Sequence, residues 1–150
     1  MQNNRKSESE FESKDLENLD IESILQNASA APYLEGKSID KIHADIFDVI
    51  SDLEGMTPEH LEESCKKLAG YRYIEKLCDL EPGKGVRWMR KDTLKLTQGG
   101  ILIRIEFNDK QVKILCKNHR HFFRYAFDDC LSFQKLSVEE QIILAHSINM

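Results

Sequence analysis

Between Gly83 and Gln134 the chain carries five short runs with the texture of β-strands, and they set what it can fold into. Three are Gly85-Val86-Arg87-Trp88-Met89-Arg90, Gly100-Ile101-Leu102-Ile103-Arg104-Ile105-Glu106-Phe107 and Gln111-Val112-Lys113-Ile114-Leu115-Cys116. The others are His121-Phe122-Phe123-Arg124-Tyr125-Ala126-Phe127 and Leu131-Ser132-Phe133. Each is rich in β-branched or aromatic residues and bounded by turn residues such as Pro82-Gly83, Asn108-Asp109-Lys110, Lys117-Asn118-His119-Arg120 and Asp128-Asp129. Five strands in about fifty residues are too few for a sandwich and suit a small barrel, closed or half-closed.

Helical signals flank the runs. Ser38 is placed to cap a helix, and Ile39, Ile42, Ile46, Val49, Ile50 and Leu53 follow at spacings of three and four until Gly55. Thr57-Pro58 opens a second helix whose stripe is Leu61, Cys65 and Leu68, and Gly70 closes it. Tyr71 to Leu80 is ambiguous, because Tyr71 and Tyr73 alternate like a strand while Ile74, Leu77 and Cys78 space like a helix. The expectation is a short helix leading into the barrel. Ser137-Val138-Glu139-Glu140 is a capping box that opens a last helix, with Val138, Ile142 and Ala145 on its apolar face, widened by Ile143 and Leu144. Leu16, Leu19, Ile21, Ile24 and Leu25 predict a short lead-in helix among acids, and Ala30 to Lys37 a linker broken by Pro32 and Gly36.

Charge divides the chain more sharply than its total of −5 suggests. Residues 1–82 hold 9 Lys and Arg against 19 Asp and Glu, whereas residues 83–135 hold 12 against 5. An acidic leading half thus precedes a basic barrel. Residues 1–18 are too polar to support a core and are expected to be disordered. No apolar run approaches the roughly 18 residues of a membrane helix. The first residues lack the apolar core of a secretory signal, so the four dispersed cysteines read as thiols in a reducing, cytoplasm-like compartment.

Alternation assigns faces to the strands. Ile101, Ile103, Ile105 and Phe107 are expected inside, with Val112, Ile114, Cys116, Phe123, Tyr125 and Phe127. Phe123 should then lie against Ile103 and Ile114. The opposite face carries Leu102, Arg104, Glu106, Lys113, Leu115, Lys117, Phe122 and Arg124. Leu102, Leu115 and Phe122 are too apolar to be bare by accident, so either a helix of this chain or a partner covers them.

Few of these residues suggest chemistry. Cys116, His119, His121 and Cys130 bracket a turn, but their spacing departs from paired zinc patterns, and no metal is assigned. Gly83-Lys84-Gly85 lacks the phosphate-loop frame, and nothing marks a nucleophile with its base. No catalytic residue and no cofactor is assigned. The candidate binding residues, for a protein partner or for DNA or RNA, are Arg87, Trp88, Arg90, Lys91, Lys95, Arg104, Lys113, Lys117, Arg120, Phe122 and Arg124. Cations there would neutralise phosphates and aromatic faces would stack on bases. The alternative is that the aromatics are core and the basic barrel faces acidic surface.

Val86-Arg87-Trp88, Leu94-Lys95-Leu96-Thr97-Gln98-Gly99-Gly100, Cys116-Lys117-Asn118 and Ser132-Phe133-Gln134-Lys135-Leu136 together resemble small barrel domains of uncharacterised proteins from large double-stranded DNA viruses. The resemblance covers residues 83–148. It implies a virion-associated, assembly-related or host-interacting role and transfers no active site. The expected organisation is a disordered acidic arm and linker over residues 1–37 and a helical lead-in over 38–82. A five-stranded antiparallel SH3-like barrel with a C-terminal helix follows over 83–150. The fold class is α+β. The expected function is a non-enzymatic interaction or structural module, with a nucleic-acid-binding barrel and an enzyme of unrecognised geometry as alternatives.

Overall fold

The computed structural model describes residues 21–26 and 32–147; the arm expected over residues 1–18 lies outside them. The protein is α+β, with four described helices and one six-stranded antiparallel sheet. No described helix is long and apolar enough to cross a membrane. The chain divides into two compact units: one is residues 1–39 with 137–150, and the other is Asp40–Leu136.

In the first unit, helix α1 (Ile21–Gln26) and a 3-10 turn (Pro32–Leu34) lie against helix α4 (Val138–Ser147). The capping box forms as expected. The Glu140 amide donates to Ser137 Oγ at 3.1 Å, and the Ser137 amide donates to Glu140 Oε1 at 2.8 Å, which satisfies two amides that the helix cannot pair itself. Glu140 Oε2 also accepts from the Tyr33 hydroxyl. The buried stripe of α4 is therefore Glu140 and Leu144, one turn apart, while Ala145, expected inside, is exposed.

In the second unit, helix α2 (Ile39–Ser51) buries Ile42, Ile46 and Ile50 and turns Asp40 and Asp48 to solvent. Helix α3 (Pro58–Lys67) begins where the sequence placed it, with Thr57 Oγ1 accepting the His60 amide at 3.2 Å. Leu68 is fully buried at its end, and Gly70 (φ 86°) takes the left-handed turn that frees the chain. The short helix expected after it is instead strand β1 (Tyr71–Ile74) with a 3-10 turn (Leu77–Asp79). Tyr71 and Tyr73 do alternate as in a strand, and pairing with β6 gives the backbone its partners.

The remaining strands are β2 (Gly85–Arg90), β3 (Gly100–Phe107), β4 (Val112–Asn118), β5 (His121–Ala126) and β6 (Cys130–Lys135). Their order is β1-β6-β2-β3-β4-β5. β1 and β5 are the two edges, so the sheet is open and has six strands, where five strands and a barrel were expected. It is nonetheless strongly coiled. Trp88 of β2 and Tyr125 of β5 stack at 4.4 Å, although β3 and β4 separate their strands. In a flat sheet three strand spacings would hold them about 14 Å apart. The Tyr125 hydroxyl also meets Ser132 Oγ of β6 at 2.8 Å.

Two cores result. Inside the coil lie Ile74, Leu80, Val86, Trp88, Leu102, Ile114, Cys116, Tyr125 and Cys130. On the outer face of β1, β6 and β2, Met89, Leu131 and Phe133 pack with Ile46 and Ile50 of α2 and with Leu68. A buried polar network closes one end of the inner core. Gln134 bonds both the amide and the carbonyl of Glu81 at 2.8 Å, and Arg72 donates to the Asp79 carbonyl at 2.7 Å.

One feature overturns the expected faces of β3. Leu102 pairs with Cys116 and Arg104 with Leu115, so Ile103 is a bulge. The extra residue puts Leu102 and Ile105, three apart, on the same inner face. Ile101 and Ile103, expected inside, are exposed, and Leu102, expected outside, is buried. Phe123, expected against Ile103 and Ile114, pairs with Cys116 on the inner side but sits where the coil opens and stays exposed. Phe107 is likewise exposed at the end of the β3–β4 hairpin.

Candidate functional site

The eleven candidate residues separate into two groups. Arg87, Trp88, Arg90, Lys91 and Lys95 lie on β2 and the loop after it. Trp88 was expected to offer a stacking face; it is buried in the inner core against Tyr125, because β2 is a central strand and its inner side faces the coil. Arg87 Nε donates to the Thr97 carbonyl at 2.9 Å and its guanidinium to the Lys67 carbonyl at 3.2 Å, which satisfies an acceptor at the end of α3. Arg90 clamps Asp92 through two bonds of 2.9 and 3.0 Å, and that clamp holds the Asp92 carboxyl below its ordinary range. Lys91 donates to the Asp128 carbonyl at 2.9 Å, and Lys95 is exposed. Four of these five side chains serve the fold.

The second group shares one surface. On β3, β4 and β5 the outer face is built of cross-strand rows: Ile101–Lys117–Phe122, then Arg104–Leu115–Arg124, then Glu106–Lys113–Ala126. Such laterally paired side chains touch directly. Lys117 Nζ stands 5.5 Å from the centre of the Phe122 ring, a cation–π arrangement. Arg104 and Arg124 converge on Glu106, with Arg124 Nε to Oε1 at 2.8 Å and Arg104 Nε to Oε2 at 3.1 Å. These bonds hold the Glu106 carboxyl below its usual range. Leu115, between the two arginines, is only 4% exposed. Phe122 is 57% exposed, Ile101 45% and Ile103 38%. Arg120 is exposed in the two-residue β4–β5 turn, beside His119 with its positive φ of 58°.

The sequence identified Phe122 and the cations of this face but missed Ile101 and Ile103. Three consecutive apolar residues, Ile101-Leu102-Ile103, fit either parity, and the bulge that decides between them leaves no mark in composition.

The cysteines and histidines of the turn do not converge. Cys116 and Cys130 are buried, and burial raises both thiols, Cys116 to about 12. His119 and His121 are exposed. Among the described residues no group of three His, Cys, Asp or Glu side chains is placed to hold a metal ion. An apolar cavity of about 770 Å³ opens between α2 and α3, lined by Ala44, Phe47, Leu61 and Cys65. Asp40, His43, Glu62 and Lys66 also border it, and the Cys65 thiol is raised by burial, which keeps it protonated and a poor nucleophile.

No family model, no curated protein and no solved structure matches this chain.

Proposed function

We propose that this protein is a non-enzymatic interaction module that engages a protein partner through the outer face of β3, β4 and β5. The observation that carries this reading is the exposure of Phe122 and Ile101 on one surface among Lys117, Arg104 and Arg124, with Ile103 exposed at the adjoining bulge. A sheet face with no partner ordinarily replaces large apolar side chains with polar ones. Aromatic and arginine side chains are the types that anchor protein interfaces. The strand connectivity supports reading the unit as an SH3-like small barrel opened along one seam: β2 to β5 form a meander, a 3-10 turn (Phe127–Asp129) follows, and β6 returns beside β2. Such scaffolds carry many unrelated interaction sites on similar sheets. The resemblance to viral barrel domains extends the proposal to an assembly or host-contacting role.

Nucleic acid is the second reading, favoured by the six Lys and Arg against two Asp and Glu within residues 101–126. One observation weighs against it: the sole tryptophan, whose ring would stack on bases, is buried. Filter binding with single- and double-stranded DNA at two salt concentrations separates the readings. Negligible retention at low salt is expected. Tight binding that weakens steeply with salt, through counterion release, would replace the protein partner with a nucleic acid. For the protein partner, a photo-cross-linking side chain at position 122 should give a discrete adduct in the source cells, and the same group at exposed position 63 should not. Equal labelling at both positions would sink the face as a site.

A further inference from the structure

Resting on the interaction reading above, we infer that the partner binds by strand addition: an extended acidic segment pairs with the open edge of β5. β5 is a sheet edge, and its own ladder with β4 runs unbroken from Asn118–His121 to Lys113–Ala126. The hairpin turns on two residues, His119 and Arg120, so the closing pair Asn118–His121 is hydrogen-bonded and the pairs alternate from there. Phe123 and Tyr125 then spend their backbone groups on β4. Phe122, Arg124 and Ala126 direct theirs to the open side.

Edges of this kind are ordinarily blunted by proline, by bulges, by added charge or by being short. The other edge, β1, is four residues long. β5 has six residues, no proline and no bulge, and Arg124 is its one Lys or Arg. Its large side chains flank the edge on both sides, with Phe122 on the outer face and Phe123, 45% exposed, on the inner. An added strand would bury both.

Charge selects the occupant. Residues 101–126 carry a net charge of +4, and Lys117, Arg120 and Arg124 all lie on or beside β5. A second copy paired edge to edge would bring two such cationic sets together, and like charges in register oppose that pairing. A segment alternating Asp or Glu with bulky apolar residues sets its carboxylates on the outer face, near Arg124 and Arg120, and its apolar groups on the inner face against Phe123. Backbone bonds supply affinity in this mode, and alternate side chains supply selection.

The test uses the full chain and three labelled peptides of about eight residues, long enough to span the edge strand. The first alternates glutamate with valine and phenylalanine, the second replaces glutamate by lysine, and the third is the acidic peptide with N-methyl groups on the pairing amides. Fluorescence anisotropy should show the acidic peptide binding at least about tenfold more tightly than the lysine peptide, because reversing the charge sets like charges against the edge. N-methylation should abolish binding. Amide hydrogen exchange should slow at Phe122, Arg124 and Ala126 when the acidic peptide is added. Arg124→Glu, which leaves the backbone intact, should weaken it and favour the lysine peptide.

Equal binding of the methylated peptide would overturn strand addition while leaving a docking face intact. Absence of acidic-peptide binding, with unchanged exchange at the edge, would also overturn it; cross-linking at position 122 then still judges the interaction reading by itself. Concentration-dependent dimerisation that protects the same amides without peptide would overturn the choice of occupant in favour of a second copy.

Discussion

On the half of the sheet made by β1, β6 and β2, the outer face carries Tyr73, Met89, Leu131 and Phe133, and helices α2 and α3 pack over it. On the half made by β3, β4 and β5, the same side of the same sheet carries Ile101, Leu115 and Phe122 among four cations and Glu106, and Phe122 and Ile101 remain exposed. Under the helices the covered half is apolar, because they remove Met89, Leu131 and Phe133 from water, and Arg87 of the same face donates to the Lys67 carbonyl. The other half mixes charge with apolar residues, which keeps it hydrated while retaining surface that gains from burial. The two halves thus show what permanent coverage looks like in this fold and, by contrast, what a surface suited to an external partner looks like.

The largest expected effect separates the halves by stability. Phe133→Ala removes a fully buried ring beneath the helices and should cost about 3–5 kcal/mol, whereas Phe122→Ala, on the open half, should cost within about 0.5 kcal/mol. Urea unfolding monitored by circular dichroism measures both. Similar losses for the two would mean that the open half is covered too. By the same logic Phe123→Ala should fall well short of the cost at Phe133, since Phe123 is half out of the core.

A smaller effect concerns the inner core that the two halves share. Tyr125→Phe keeps the stack on Trp88 but takes a hydrogen bond from the buried Ser132 hydroxyl, and should cost about 1–2 kcal/mol. Adding Ser132→Ala to it should recover part of the loss, because no buried hydroxyl is then left unpaired. A double-mutant cycle that gives no coupling would show that the bond closing the coil contributes nothing.

The smallest effect is titratable and confined to the open half. Arg124 and Arg104 hold the Glu106 carboxyl below its ordinary 4.5, so its folded pKa is depressed relative to the unfolded chain. The stabilisation is present at pH above that ordinary value and is lost as pH falls through the folded one. It should be small, because the carboxylate is partly exposed at the surface and screened by water. Glu106→Gln should therefore flatten the fall in melting temperature between neutral pH and pH 3, and 0.5 M salt should shrink the difference between the two proteins. A steeper fall in the variant would show that the arginines repel more than the carboxylate attracts.

Much of the local structure was legible because it depends on short-range chemistry. Thr57-Pro58 and Ser137 to Glu140 act through hydrogen bonds within one helical turn, and each formed where the sequence placed it. The candidate site was half legible. Its cations stand out as residue types, but whether each meets solvent or a carbonyl depends on chain segments far away, as with Arg87 and the Lys67 carbonyl.

The sequence by itself determined where both flanking helices start, where five of the six strands lie, and which stretch is basic. These follow from hydrophobic period, cap chemistry and residue charge, all properties of neighbours along the chain. The tertiary structure alone decided that Tyr71–Ile74 is a strand, since β6 supplies its hydrogen bonds from some sixty residues away. It also decided that Trp88 is core and that Ile101 faces out. The first follows from the coil that brings β2 to β5. The second follows from one unpaired residue, Ile103, which inverts the faces of everything before it in β3.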